Sequence, residues 1–195
     1  TDENAEFELE KADVWMTPVV GRVFDTNCDG VTDQLDSPTV VVISDDLQNR
    51  GRAGRNCNAG DATGCRRGVL RLLDGATGRE LASLANAGPG LSGFAGITPV
   101  IGDFDHDGEG EVIVVTGERT LALIESDGSV GAMSDVPVPD QSGLGCGGGL
   151  AAGDMDGDGK IEVAYGRQVF EVAADGSSIV QRFLAYAKMI QNCIM

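Results

Sequence analysis

The sequence predicts an all-β chain assembled from three repeats of one four-stranded unit. Three observations predict it. First, a nine-residue pattern recurs at residues 25–33, 103–111 and 154–162, with an acid or amide at positions 1, 3 and 5, glycine at 6 and an acid at 9. Second, each copy runs into a Val/Ile-rich segment of buried-strand type, such as Thr39-Val40-Val41-Val42-Ile43 or Glu111-Val112-Ile113-Val114-Val115. Third, each repeat reaches an Asp-Gly pair between apolar segments, a hairpin signal: Asp74-Gly75, Asp127-Gly128 and Asp175-Gly176. The 195 residues suffice for one domain with a sizeable core, and 29 glycines with 5% aromatics favour turns and strands over helices.

Taken in order, residues 1–13 are an acidic lead-in, with Phe7 and Leu9 as weak anchors. Val14, Trp15, Val19, Val20, Val23 and Phe24 lead into the first acidic loop. After the Thr39 run comes a Gly/Asn/Arg-rich insertion over 45–68, then Val69-Leu70-Arg71-Leu72-Leu73 and Glu80-Leu81-Ala82-Ser83-Leu84. Loop start and Asp-Gly turn lie 24 residues apart in the second copy (103 to 127), 21 in the third (154 to 175) and 49 in the first (25 to 74). The insertion accounts for the excess. Each unit reads as strand, acidic loop, strand, turn, strand, hairpin, strand, which describes a blade of a β-propeller. The repeats span about 14–88, 89–137 and 138–180. Three blades fall short of the four to eight of a closed ring, so the expectation is a partial or open propeller whose edges promote self-association. In the tail, residues 181–195, Phe183, Ala187, Ile190 and Ile194 stand at helical spacing and predict a short terminal helix.

Four carboxylates on nine residues repel one another unless a hard cation sits between them, and glycine at position 6 permits the sharp turn. An EF-hand loop also begins this way but needs a bidentate acid at position 12 and flanking helices. Position 12 is Asp36, Val114 and Tyr165, and the flanks are strands. The first copy alone passes as a twelve-residue dockerin-like loop. Its two sisters argue for closure at position 9. His106, the only histidine, lies between ligand positions and is expected to face solvent, which leaves no Ser-His or Cys-His catalytic pair. Gly145 to Gly149 lacks the Gly-Lys-Ser/Thr ending of a phosphate loop and fits close strand packing better.

These loops, with Gly93-Phe94-Ala95-Gly96-Ile97-Thr98-Pro99-Val100-Ile101-Gly102 before the second and Gly147-Gly148-Gly149-Leu150-Ala151-Ala152-Gly153 before the third, resemble FG-GAP repeats, also called VCBS or integrin-like repeats. The resemblance covers residues 14–180. It implies one Ca²⁺ per loop, with Mg²⁺ as the other candidate, bound by side chains at positions 1, 3, 5 and 9 and the carbonyl at 7. The implied sets are Asp25, Asn27, Asp29 and Asp33 with the Val31 carbonyl; Asp103, Asp105, Asp107 and Glu111 with that of Glu109; and Asp154, Asp156, Asp158 and Glu162 with that of Lys160. Asn27 removes a charge from the first set, which is therefore expected to bind most weakly. The resemblance implies a calcium-stabilised extracellular or cell-surface module that adheres to a protein or glycan. The alternative is a non-catalytic or partial domain of a secreted polysaccharide-degrading enzyme, whose glycan site would fall on Arg50, Arg52, Arg55, Arg66 and Arg67.

A net charge of −17 argues against nucleic acid and anionic membrane surfaces as partners. The loops hold 12 of the 31 acidic residues, which concentrates that charge where cations would neutralise it. Cys57 and Cys65 bracket part of the insertion, which has little apolar content, and a disulfide between them would staple it. Cys28, Cys146 and Cys193 have no evident partners. No stretch is long and apolar enough to span a membrane. The chain opens at Thr1 without a methionine and reads as a mature product or a piece of a longer protein.

Overall fold

The computed structural model describes residues 13–14, 16–45, 67–139 and 148–184. The Cys57–Cys65 pairing, most of the insertion with its arginines up to Arg66, Cys146, Cys193 and the tail beyond 184 lie outside the described residues. Among the described residues there are thirteen strands and no helix.

The strands form three antiparallel sheets, one per repeat. The first comprises β2 (Val19–Gly21), β3 (Thr39–Asp45), β4 (Val69–Asp74) and β5 (Glu80–Leu84). The two-residue β1 (Asp13–Val14) pairs with the far end of β3. Strands β1 and β2 therefore share one edge of β3. Pro18, which has no N–H to donate to a ladder, lies in the break between them. The second sheet is β6 (Val100–Gly102), β7 (Glu111–Val115), β8 (Leu121–Ile124) and β9 (Val130–Met133). The third is β10 (Ala151–Gly153), β11 (Glu162–Tyr165), β12 (Gln168–Val172) and β13 (Ile179–Leu184). None closes into a barrel, and the arrangement is that of open propeller-like blades. The short first strands lie side by side, β6 between β2 and β10.

One element departs from the sequence reading. Residues 181–184, expected to open a terminal helix, continue β13. The ladder to β12 decides it: Val180 pairs with Glu171, Gln181 with Phe170 and Phe183 with Val169, and these cross-strand bonds outweigh a local helical spacing of apolar residues.

The blades stack through two apolar layers. Alternation sends Val41, Ile43, Leu70 and Leu72 of the first sheet against Val112, Val114, Ala122 and Ile124 of the second. The opposite face of the second sheet, Ile113, Val115, Leu121 and Leu123, meets Val163, Tyr165, Phe170 and Val172 of the third. This is why β7 and β8 are apolar at nearly every position: the middle blade is covered on both faces. Glycine serves the inner junction. Leu150 N–H donates to the Thr98 carbonyl at 2.9 Å, and a Cβ on Gly149 would lie 3.1 Å from the Thr98 side chain. That supports close packing, rather than phosphate binding, as the purpose of the Gly148-Gly149 pair.

Candidate metal centres

Each acidic loop joins the first two strands of its blade, and position 9 in the second and third copies is the first residue of the second strand, Glu111 of β7 and Glu162 of β11. The loops share a backbone form. Position 4 is left-handed in all three, at Cys28 (φ 61), His106 (φ 65) and Gly157 (φ 82), and so is the position 6 glycine, Gly30, Gly108 or Gly159. The side chain at position 3 accepts the N–H of position 5, from Asp29, Asp107 or Asp158, and the acid at position 5 accepts the N–H of position 7. Gly159→Ala is expected to cost about 1–2 kcal/mol in thermal or urea unfolding, because the left-handed conformation penalises a Cβ even in open space. His106→Gly removes that penalty and is expected to be neutral or stabilising.

The geometry brings together two of the three expected sets. Asp103, Asp105, Asp107 and Glu111 each offer a carboxylate oxygen, all within 4.8 Å of one another, and so do Asp154, Asp156, Asp158 and Glu162. Glu111 and Glu162 close their loops from beneath, both 1% exposed. One oxygen of each accepts the position 2 amide at 2.6 Å, from Phe104 or Met155. The other oxygen of Glu162 and one of Asp103 are buried with no hydrogen-bond donor. Buried carboxylate oxygens without donors are costly, and a cation relieves the cost. An all-oxygen set selects a hard cation of the Ca²⁺ or Mg²⁺ type. Burial, and after it the charges of Asp105, Asp107 and Asp103, push Glu111 up to about 8, although the Phe104 N–H acts against them. Burial also raises Asp105.

The first loop closes differently. Asp33 is exposed, does not gather with Asp25 and Asp29, and instead accepts the Leu35 N–H at 2.7 Å. Asp36, at position 12, is 3% exposed and accepts the position 2 amide, Thr26 N–H, at 2.7 Å, along with the N–H groups of Asn27 and Asp33. It thus makes the bond that Glu111 and Glu162 make. Its carboxyl is held below the usual range, chiefly by the Asp33 N–H. In the first loop, therefore, the position 2 amide is held from position 12 rather than from position 9. The signal was the twelve-residue spacing: β3 opens only at Thr39, six residues after Asp33, whereas Glu111 and Glu162 themselves open β7 and β11, so position 9 of the first loop lies off the strand. His106 is exposed, as expected.

Two residues beside the loops were not legible in the sequence. Glu125 follows β8, one step past the Val112–Ile124 pair and so alongside Glu111; burial, then Asp105 and Asp107, raises it. At the matching place in the third blade, Glu171 faces Glu162 and is paired with Lys160 at 2.6 Å and Arg182 at 2.9 Å. Register across the sheet sets both partnerships.

Each blade has four strands with an acid-rich loop between the first two, and residues 103–165 match the family description of an FG-GAP-like repeat. That stretch is similar to an FG-GAP-like repeat. By structure the chain is similar to the V. cholerae biofilm matrix protein Bap1, with a TM-score of 0.52 and 17% identity over 93% of this chain and 32% of Bap1. The chain therefore spans about a third of that protein's length. A weaker likeness links it to the rhamnogalacturonan lyase YesW, with a TM-score of 0.43 and 20% identity over 77% of this chain and 30% of the lyase. No curated protein matches the sequence. No helix among the described residues is long and apolar enough to cross a membrane.

Proposed function

We propose that the chain is a calcium-stabilised blade module of an extracellular protein, with an adhesive or protein- or glycan-binding role. The observation that carries the metal reading is the pair of four-carboxylate clusters, each closed by a buried glutamate and each containing a buried oxygen without a donor. Asp103, Asp105, Asp107 and Glu111 would hold one cation, with the Glu109 carbonyl, and Asp154, Asp156, Asp158 and Glu162 another, with that of Lys160. The cation would supply charge neutralisation and a fixed crosslink between the first two strands. A third, weaker site would use Asp25, Asn27, Asp29 and the Val31 carbonyl, with Asp36 in the place first assigned to Asp33. The extracellular setting and the adhesive role draw support from the repeat type and from fold likeness to a biofilm matrix protein.

Calcium calorimetry tests the reading. Two tight steps and one weaker step are expected. Glu111→Gln and Glu162→Gln should each remove one tight step, and absence of binding heat in the unaltered chain would refute the proposal. In the first loop, Asp36→Asn should remove the weak step and lower the melting temperature, whereas Asp33→Asn should do neither to a comparable extent. The Asp36 contribution is present at neutral pH and lost as pH falls through its lowered pKa.

A further inference from the structure

The two glutamates that close the second and third loops each stand opposite another glutamate. Register places Glu171 of β12 directly across from Glu162 of β11. It places Glu125, one step past the Val112–Ile124 pair, across from Glu111 of β7. Like charges directly opposite one another on a sheet repel. Glu111, Glu162 and Glu171 are buried, so water screens that repulsion little.

The third blade offsets the repulsion and the second does not. Glu171 lies between Lys160, at 2.6 Å, and Arg182, at 2.9 Å. Lys160 is position 7 of its acidic loop. The second loop has Glu109 there, whose carboxylate accepts the Ser126 hydroxyl. Arg182 follows Gln181, the β13 partner of Phe170; the residue at the matching step past Val130, the β9 partner of Ile124, is Gly131. The Glu125 carboxylate fills the room a side chain at 131 would need, since a Cβ there would overlap its Oε1. The charges around Glu125 are those of Asp105, Asp107, Asp127 and Glu109, and among the described residues no lysine or arginine pairs with it. The Asp175-Gly176 turn of the third blade walls this group on one side: a Cβ on Gly176 would stand 2.8 Å from Asp105 Oδ2 and 3.8 Å from Glu125 Oε1.

Two centres of one design therefore differ in the charge gathered around them. The second has its four cluster carboxylates with Glu109 and Glu125; the third has its four with Glu171, Lys160 and Arg182. We propose that this difference ranks the centres, so that calcium fills the second before the third, with Glu125 raising affinity at one and Lys160 with Arg182 acting as built-in counter-charges at the other. The inference rests on the metal reading above and adds to it an order of filling. Cation affinity at an all-oxygen site follows the charge that surrounds the ion. Coulomb attraction is stronger where solvent is excluded, as the third blade's turn excludes it beside Asp105 and Glu125. The first cation bound thus acts at the junction of the second and third blades.

Calcium calorimetry on single-centre variants reads the order. The tight step that remains in Glu162→Gln should have a dissociation constant about tenfold below that of the tight step remaining in Glu111→Gln. Glu125→Gln should weaken the tighter step about tenfold and leave the other in place. Two further variants separate charge from shape. Lys160→Met keeps the position 7 carbonyl but removes a positive charge, and should tighten the third centre. Glu171→Gln keeps the side chain's size but leaves Lys160 and Arg182 uncompensated, and should weaken it. If the Lys160–Glu171 pair only held the loop in shape, both variants would weaken the third centre, and that result would overturn the proposal. Equal constants at the two centres of the parent chain would also overturn it while leaving the metal reading intact. Absence of any binding heat would overturn both.

Discussion

Phe104→Ala is expected to destabilise the chain by about 3–5 kcal/mol, the range for removing a buried aromatic ring. For a chain of this size that is a fall in melting temperature of roughly 6–20 °C. Phe104 is 1% exposed and belongs to the layer between the second and third blades, although it sits inside an acidic loop. Its ring packs over Gly102, where a Cβ would stand 3.2 Å away. Its N–H holds Glu111 at 2.6 Å. One residue thus fastens the loop to the closing carboxylate through its backbone and to the next blade through its side chain. The substitution keeps the N–H, so the loss should appear in unfolding free energy, with cation affinity changed little. Met155→Ala is the control. It occupies the same loop position, is 44% exposed, and should cost under about 1 kcal/mol in the isolated chain. Equal losses for the two would contradict the packing described here.

The contrast between Phe104 and Met155 shows where the sequence is legible. Loops, central strands and Asp-Gly turns were readable because their signals are local: carboxylate spacing, two-residue alternation and turn chemistry. Asp127 and Asp175 accept the N–H two residues on, and hydrogen bonds from Ser129 and Ser177 hold both below the usual carboxylate range. Asp36 was harder, because a closing carboxylate is defined by the amide it reaches and not by its count along the loop. Glu171 with Lys160, and Arg71 with Glu80, depend on which strand positions face each other across a sheet. The start of the predicted helix failed for the same reason: the β12 ladder took Val180 to Phe183, and periodicity carries no knowledge of a neighbouring strand.

If the acidic clusters hold calcium as proposed, its removal is expected to reverse the sign of the chain's pH dependence. In chelator, Glu111 has a pKa of about 8 against an ordinary value of 4.5, with burial the largest cause. A carboxyl whose folded pKa lies above its unfolded pKa binds more proton in the folded state between those values. Stability therefore falls as pH rises from about 4.5 to about 8. With a cation in place the ligands must be ionised, binding releases protons, and stability rises with pH over the same interval. The two melting curves should therefore diverge most near the top of that window. A cation at 100 to 1,000 times its dissociation constant adds about 2.7–4.1 kcal/mol per site, so two sites should raise the melting temperature by roughly 10–30 °C. Differential scanning calorimetry across this pH range, with excess calcium and with chelator, measures both curves. Superimposable curves would exclude a stabilising cation. Glu111→Gln separates the causes: it should flatten the falling curve in chelator, because an amide does not titrate, and should halve the calcium-dependent gain. Glu162→Gln should also halve the gain but leave the chelator slope due to Glu111 in place. The two glutamates occupy the same position in successive blades, so this difference would trace the pH response to the crowded second loop.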